Sequence, residues 1–132
     1  MTTPETHTHG LAEVVRALRL FIGLSQRDAA RRFDMDRRDY QRIESGRDAC
    51  PPGMVSTLEE WADRFAHEVE MVLDLAERRD PADGPLHLLV VPDGTSEEEW
   101  DRLVAGRAFV ETTADHPIVL AEAANEKPVK VG

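Results

Sequence analysis

One short stretch, Arg37-Arg38-Asp39-Tyr40-Gln41-Arg42-Ile43-Glu44, carries the side chains best suited to chemistry in this chain. Arginine can donate two hydrogen bonds to guanine, and glutamine can pair bidentately with adenine. Arg37, Arg38, Gln41 and Arg42 are therefore candidate base-edge readers. Arg27, Arg31 and Arg47 flank them and are cations of the kind that hold phosphate oxygens. The chemistry would be recognition, with no bond made or broken. No nucleophile–base pair, phosphate-cradling loop or metal cluster is evident, so no catalytic residue, metal or cofactor is expected. The plainer alternative is that arginine-rich faces are solvated surface, and Asp28, Asp36 and Asp39 cancel part of this charge.

Reading requires elements that present these side chains. Leu11, Val14, Val15, Leu18 and Phe21 recur at helical spacing, and Gly23 stops that helix. Ser25 caps a second, with Asp28 three residues on and Ala29, Ala30 and Phe33 inward. Asp36 caps a third that turns Tyr40 and Ile43 inward and ends at Gly46. Three short helices with a tight turn between the second and third are the geometry of a helix-turn-helix. Pro51-Pro52-Gly53 then opens a Gly- and Pro-free stretch, a long helix over about 53–79. Its apolar residues, Met54, Leu58, Trp61, Phe65, Val69, Val72 and Ala76, step by three or four, with a second stripe beside them. Trp61 and Phe65 belong to a core or an interface. His67, Glu70 and Asp74 have a spacing that permits a metal, but a hydrated acidic face is the simpler reading.

Beyond an expected linker at 80–85, Leu86–Val91 reads as a buried strand. Thr95 or Ser96 caps a short acidic helix stopped at Gly106, and Arg107–Thr112 and Ile118–Ala121 read as two further strands. The expected class is thus mainly α with a small α/β C-terminal part. A loose N-terminus (1–9) precedes a DNA-binding domain that includes the long helix (10–80). A dimerisation domain (86–123) and a loose tail (124–132) follow.

The 132 residues carry a net charge of -10, which taken whole argues against a nucleic-acid partner. The charge is unevenly spread. Residues 11–50 hold nine arginines against seven acids, whereas residues 51–132 hold seven cations against eighteen acids. Such asymmetry suggests separate tasks. One cysteine, Cys50, excludes an internal disulfide and reads as an inert buried thiol. No run approaches the length of a membrane helix and no leader is evident, so a cytoplasmic location is expected.

Residues from Val15 to Pro51 resemble the Xre-like (lambda-repressor-like) helix-turn-helix family. The match rests on Arg19, Gly23, Leu24, Ser25, Gln26, Ala30, Tyr40, Ile43, Glu44 and Gly46. It implies that the exposed face of the third helix enters the major groove. It also implies that Ser25 and Gln26 meet backbone phosphate, and that Arg19 and Glu44 tie the first helix to the third. The chain departs from the family with Asp34 where glycine is usual, with Arg37-Arg38-Asp39 opening the third helix, and with the apolar run Leu20-Phe21-Ile22. That run is expected to pack against the long helix. The whole arrangement is similar to small two-domain regulators of the anti-CRISPR-associated type. The resemblance implies a homodimeric repressor of its own or a neighbouring operon, bound to palindromic double-stranded DNA. The alternative is an antitoxin-like or adaptor protein whose acidic C-terminal part binds a protein partner.

Overall fold

Side-chain caps at Ser25, Asp36 and Thr95 set where three of the α-helices of the computed structural model begin; the structure describes residues 9–123. The expected loose ends, 1–9 and 124–132, lie outside that range apart from His9. Helix α1 (Ala12–Ile22) closes at Gly23, whose φ of 94° lies in the left-handed region that glycine enters without steric cost. Helix α2 (Gln26–Arg32) starts at Ser25, whose Oγ accepts the Asp28 N–H at 3.0 Å. The chain then turns through Asp34 at φ 53°, an aspartate holding the left-handed position. Asp36 caps helix α3 (Arg37–Glu44) by accepting the Arg38 N–H at 2.8 Å.

The three helices share one core. Val15, Ala29, Ala30, Tyr40 and Ile43 meet Cys50, Met54, Val55 and Leu58, the last three from the start of helix α4 (Met54–Arg78). Trp61 lies on the Phe33 ring, centroids 4.6 Å apart, with the Arg32 guanidinium 5.9 Å from its own centroid. The apolar run at the end of α1 divides: Ile22 is buried, Phe21 meets Phe65 of α4 edge-on, and Leu20 stays exposed. Helix α4 runs 25 residues without a break. The described residues form two compact units, one up to Ala66 and one from His67, and α4 contributes to both.

In the second unit, the expected linker carries a single 3-10 turn, Pro81–Asp83. Strand β1 (Leu86–Val90), helix α5 (Ser96–Glu111) and strand β2 (Ile118–Glu122) follow. The strands pair in parallel, Leu86 beside Ile118 through Val90 beside Glu122. A full capping box opens α5: Thr95 Oγ1 accepts the Glu98 N–H, and the Glu98 carboxylate accepts the Thr95 N–H. Gly94 permits this closure, because a Cβ there would lie 2.8 Å from the Cβ of Glu98. Trp100 is fully buried and its indole N–H donates to Glu68 at 3.1 Å.

The fold class is as expected, mainly helical with a small C-terminal α/β part, but two elements differ. Strand β1 is not the buried strand expected of Leu86–Val91: its residues alternate between half-buried and exposed, Leu89 by 71%, as in a strand with only one covered face. Residues 107–111 are helix, and the expected strand Arg107–Thr112 does not form. Helix α5 passes through Gly106 because Trp100, Val104, Ala105 and Ala108 continue one buried stripe across it. The propensity cost of the glycine, ~1 kcal/mol, is smaller than the gain from burying that stripe. A parallel strand pair also needs a long crossover, which α5 supplies.

Candidate nucleic-acid interface

Helix α3 has two faces of opposite character. Tyr40, Ile43 and Glu44 are buried, while Arg37, Arg38 and Arg42 are exposed and Gln41 is half-buried at the margin. Arg38 and Gln41, three residues apart, lie on the same side. Arg27 and Arg47 are exposed as well. No ion pair among the described residues engages Arg27, Arg37, Arg38 or Arg47.

Other candidates are engaged. Arg42 donates to both carboxylate oxygens of Asp48, at 3.0 and 3.1 Å. Hydrogen bonding, then charge, raises the Arg42 guanidinium and lowers the Asp48 carboxyl relative to their ordinary values. Arg31 donates to Asp28 at 2.9 Å. The Ser25 hydroxyl accepts from the Asp28 N–H and donates to its carboxylate, so Asp28 occupies it twice. Asp48 escapes sequence reasoning because it lies past the end of α3, six residues from Arg42, where helical spacing no longer applies. The Asp28–Arg31 pair is legible, being three apart on one helix.

Beneath this surface lies a buried ion pair. Arg19 Nε donates to both Glu44 oxygens at 3.2 and 2.9 Å, its Nη2 donates to Oε1 at 2.6 Å, and its Nη1 to the Leu24 carbonyl at 2.9 Å. The two side chains are only 10% and 3% exposed. Burial pushes the Glu44 carboxyl upward, but hydrogen bonds and the Arg19 charge outweigh it and hold it below the usual range. The same bonds, opposed by burial, raise Arg19. The Tyr40 hydroxyl is buried beside them without a hydrogen bond of standard geometry. Burial, then the Glu44 carboxylate, raises it well above the ordinary tyrosine range, so it stays protonated.

The ion pair reaches the surface through two glutamines. Gln26 Nε2 donates to Glu44 Oε1 at 3.4 Å, and Gln41 Nε2 donates to Gln26 Oε1 at 3.1 Å. Among the sequence-predicted residues, the structure thus joins Gln26 to Gln41 and separates Arg31 and Arg42 into local pairs. No cluster of three or more metal-binding side chains occurs among the described residues. No helix there is long and apolar enough to cross a membrane.

A capped three-helix core with an exposed third helix defines the class of the first unit, and comparison with known proteins agrees. A protein-family model described as a helix-turn-helix domain matches residues 11–60. The first unit therefore carries a helix-turn-helix domain. No curated protein and no solved structure matches the chain.

Proposed function

We propose that the chain is a sequence-specific DNA-binding regulator, a homodimeric repressor of its own or a neighbouring operon acting at an inverted-repeat operator. The observation that carries this reading is the exposed face of α3. In a chain of net charge -10, it gathers Arg37, Arg38, Gln41 and Arg42 opposite a buried face that fixes its orientation. Those four side chains meet base edges in the major groove, the first turn of the helix leading. Ser25, Gln26, Arg27, Arg31 and Arg47 meet phosphates. Arg42 and Arg31 exchange their aspartates for DNA on binding, and the Ser25 hydroxyl reaches phosphate only by giving up a bond to Asp28.

The second unit supports dimer formation. Met71, Leu75, Leu89, Phe109 and Val110 remain exposed on it, Leu89 by 71% and Val110 by 76%, and these are the apolar side chains a second copy would cover. Two helix-turn-helix units related by a two-fold axis match half-sites about 34 Å apart. The proposal places the protein with the small two-domain autoregulators its sequence resembles. Titration of the full chain against its own promoter fragment and a scrambled duplex, across several salt concentrations, tests it. Preference for the promoter is expected, and equal affinity for both duplexes removes the reading.

A further inference from the structure

The hydrogen-bond chain from Glu44 to Gln41 fixes more than position. A carboxylate only accepts and a guanidinium only donates, whereas an amide presents one of each. Glu44, held by three bonds from Arg19, can meet Gln26 only through the Gln26 NH₂ group. Gln26 must then turn its carbonyl toward Gln41, and Gln41 must answer with its own NH₂. The outward end of Gln41 is left with its carbonyl and one remaining N–H. The orientation of both amides thus follows from the chemistry of the buried acid.

We propose that Glu44 is a positioning residue that, acting through Gln26, locks the Gln41 amide in the orientation that selects adenine and rejects guanine. Adenine offers a donor at N6 beside an acceptor at N7, the complement of a carbonyl beside an N–H. Guanine offers two acceptors, O6 and N7, and its O6 would oppose the Gln41 carbonyl. A glutamine free to rotate its amide would turn the NH₂ group to guanine and discriminate poorly. A residue of the core would in this way choose a base it never touches. The inference rests on the reading of α3 as the base-reading helix.

The test uses the full chain and a duplex enriched by it from a random-sequence pool, together with every single-base variant of that duplex. Gln41→Ala identifies the base pair read, as the position where preference is lost. At that position the unmodified protein is expected to favour adenine over guanine. Gln26→Met keeps length and removes the amide, and should cut the adenine-to-guanine ratio by about fivefold or more. If Gln26 also bonds a phosphate, removing that bond lowers both affinities alike and leaves the ratio untouched. Glu44→Gln should move the preference toward guanine. The amide introduced there keeps its carbonyl on Arg19 and donates to Gln26, which reverses both glutamines. Should that variant fail to fold, Gln26→Met still decides. A ratio unchanged in Gln26→Met, or a Gln41→Ala protein with every base preference intact, overturns the relay while leaving the DNA-binding reading standing. An unmodified protein that binds enriched and scrambled duplexes alike removes that reading, and the relay with it.

Discussion

Arg38 and Arg47 are both exposed arginines of the first unit, and the proposed interface gives them different work. Arg38→Ala should cost about 1–3 kcal/mol on the specific duplex and relax selectivity at one base pair. Arg47→Ala should weaken specific and random duplexes equally and lower the salt slope by about one. Equal losses on both duplexes for Arg38→Ala would make it a phosphate clamp, and no loss on either would take α3 out of the site. Asp48 supplies a prediction of opposite sign. It holds the Arg42 guanidinium through two hydrogen bonds, so Asp48→Asn should tighten binding to random DNA at low salt and steepen the salt slope by about one. The buried pair governs acid stability. Because the folded Glu44 carboxyl sits below its ordinary range, its contribution is complete above about pH 4.3 and fades as pH falls through the folded value. Glu44→Gln leaves Arg19 buried without its counter-ion and should cost about 3–5 kcal/mol at neutral pH. Urea unfolding at pH 7 and at lower pH should also show a shallower acid decline for this variant than for the unmodified protein. The side chains facing outward on α3 were legible from residue type and spacing. Their engagement was not, because Asp48 pairs with Arg42 across a helix end, where no period links them.

Among the elements, the helix starts were the most legible. Ser25, Asp36 and Thr95 each accept the backbone N–H that a cap should, and the Gly23 stop follows equally local rules. Gly106 was misleading because its meaning depends on what surrounds it. Read alone it ends a helix, yet the buried stripe of Trp100, Val104, Ala105 and Ala108 carries α5 through it to Glu111. Apart from its chain neighbours and the helix's own backbone, nothing lies within 4 Å of where a Gly106 Cβ would stand. Gly106→Ala should therefore stabilise the protein by about 0.5–1 kcal/mol, read as a higher urea midpoint with unchanged slope. Gly94→Ala should lower that midpoint, since its Cβ would collide with Glu98 of the capping box. The pairing of β1 with β2 was not legible, because strand partners are set by contacts distant in sequence.

At the scale of the whole molecule, the charge split has a physical use. On the proposed reading, a basic face on α3 in an acidic chain would discourage indiscriminate binding while leaving specific contacts intact. The proposed dimer should appear in analytical ultracentrifugation at tens of micromolar, without DNA, as a species of twice the 14.8 kDa chain mass. A species of the single-chain mass under those conditions would exclude it. In the second unit, Met71, Val72, Leu75, Leu88, Leu89 and Val104 line an open pocket of about 340 Å³. Leu89→Glu should shift the equilibrium toward monomer if that surface joins the copies, because it would place a charge in an apolar contact. The helix-turn-helix unit was legible in outline since its contacts are short-range and its turns are punctuated. The proposed assembly had only an excess of apolar residues to point to it in the sequence.

Cys50 is the sole thiol of the chain, 4% exposed, in the same cluster as Val15, Tyr40 and Met54. Burial also raises its pKa, so it carries little of the reactive thiolate. A disulfide reagent can reach it only when that cluster parts, which makes the labelling rate a clock for opening of the first unit. Any molecule that binds the closed form alone slows the clock by the factor 1 + [L]/Kd. A single native atom, with no label installed, can thus time both the breathing of the helix-turn-helix unit and, on the proposed reading, its occupancy by DNA.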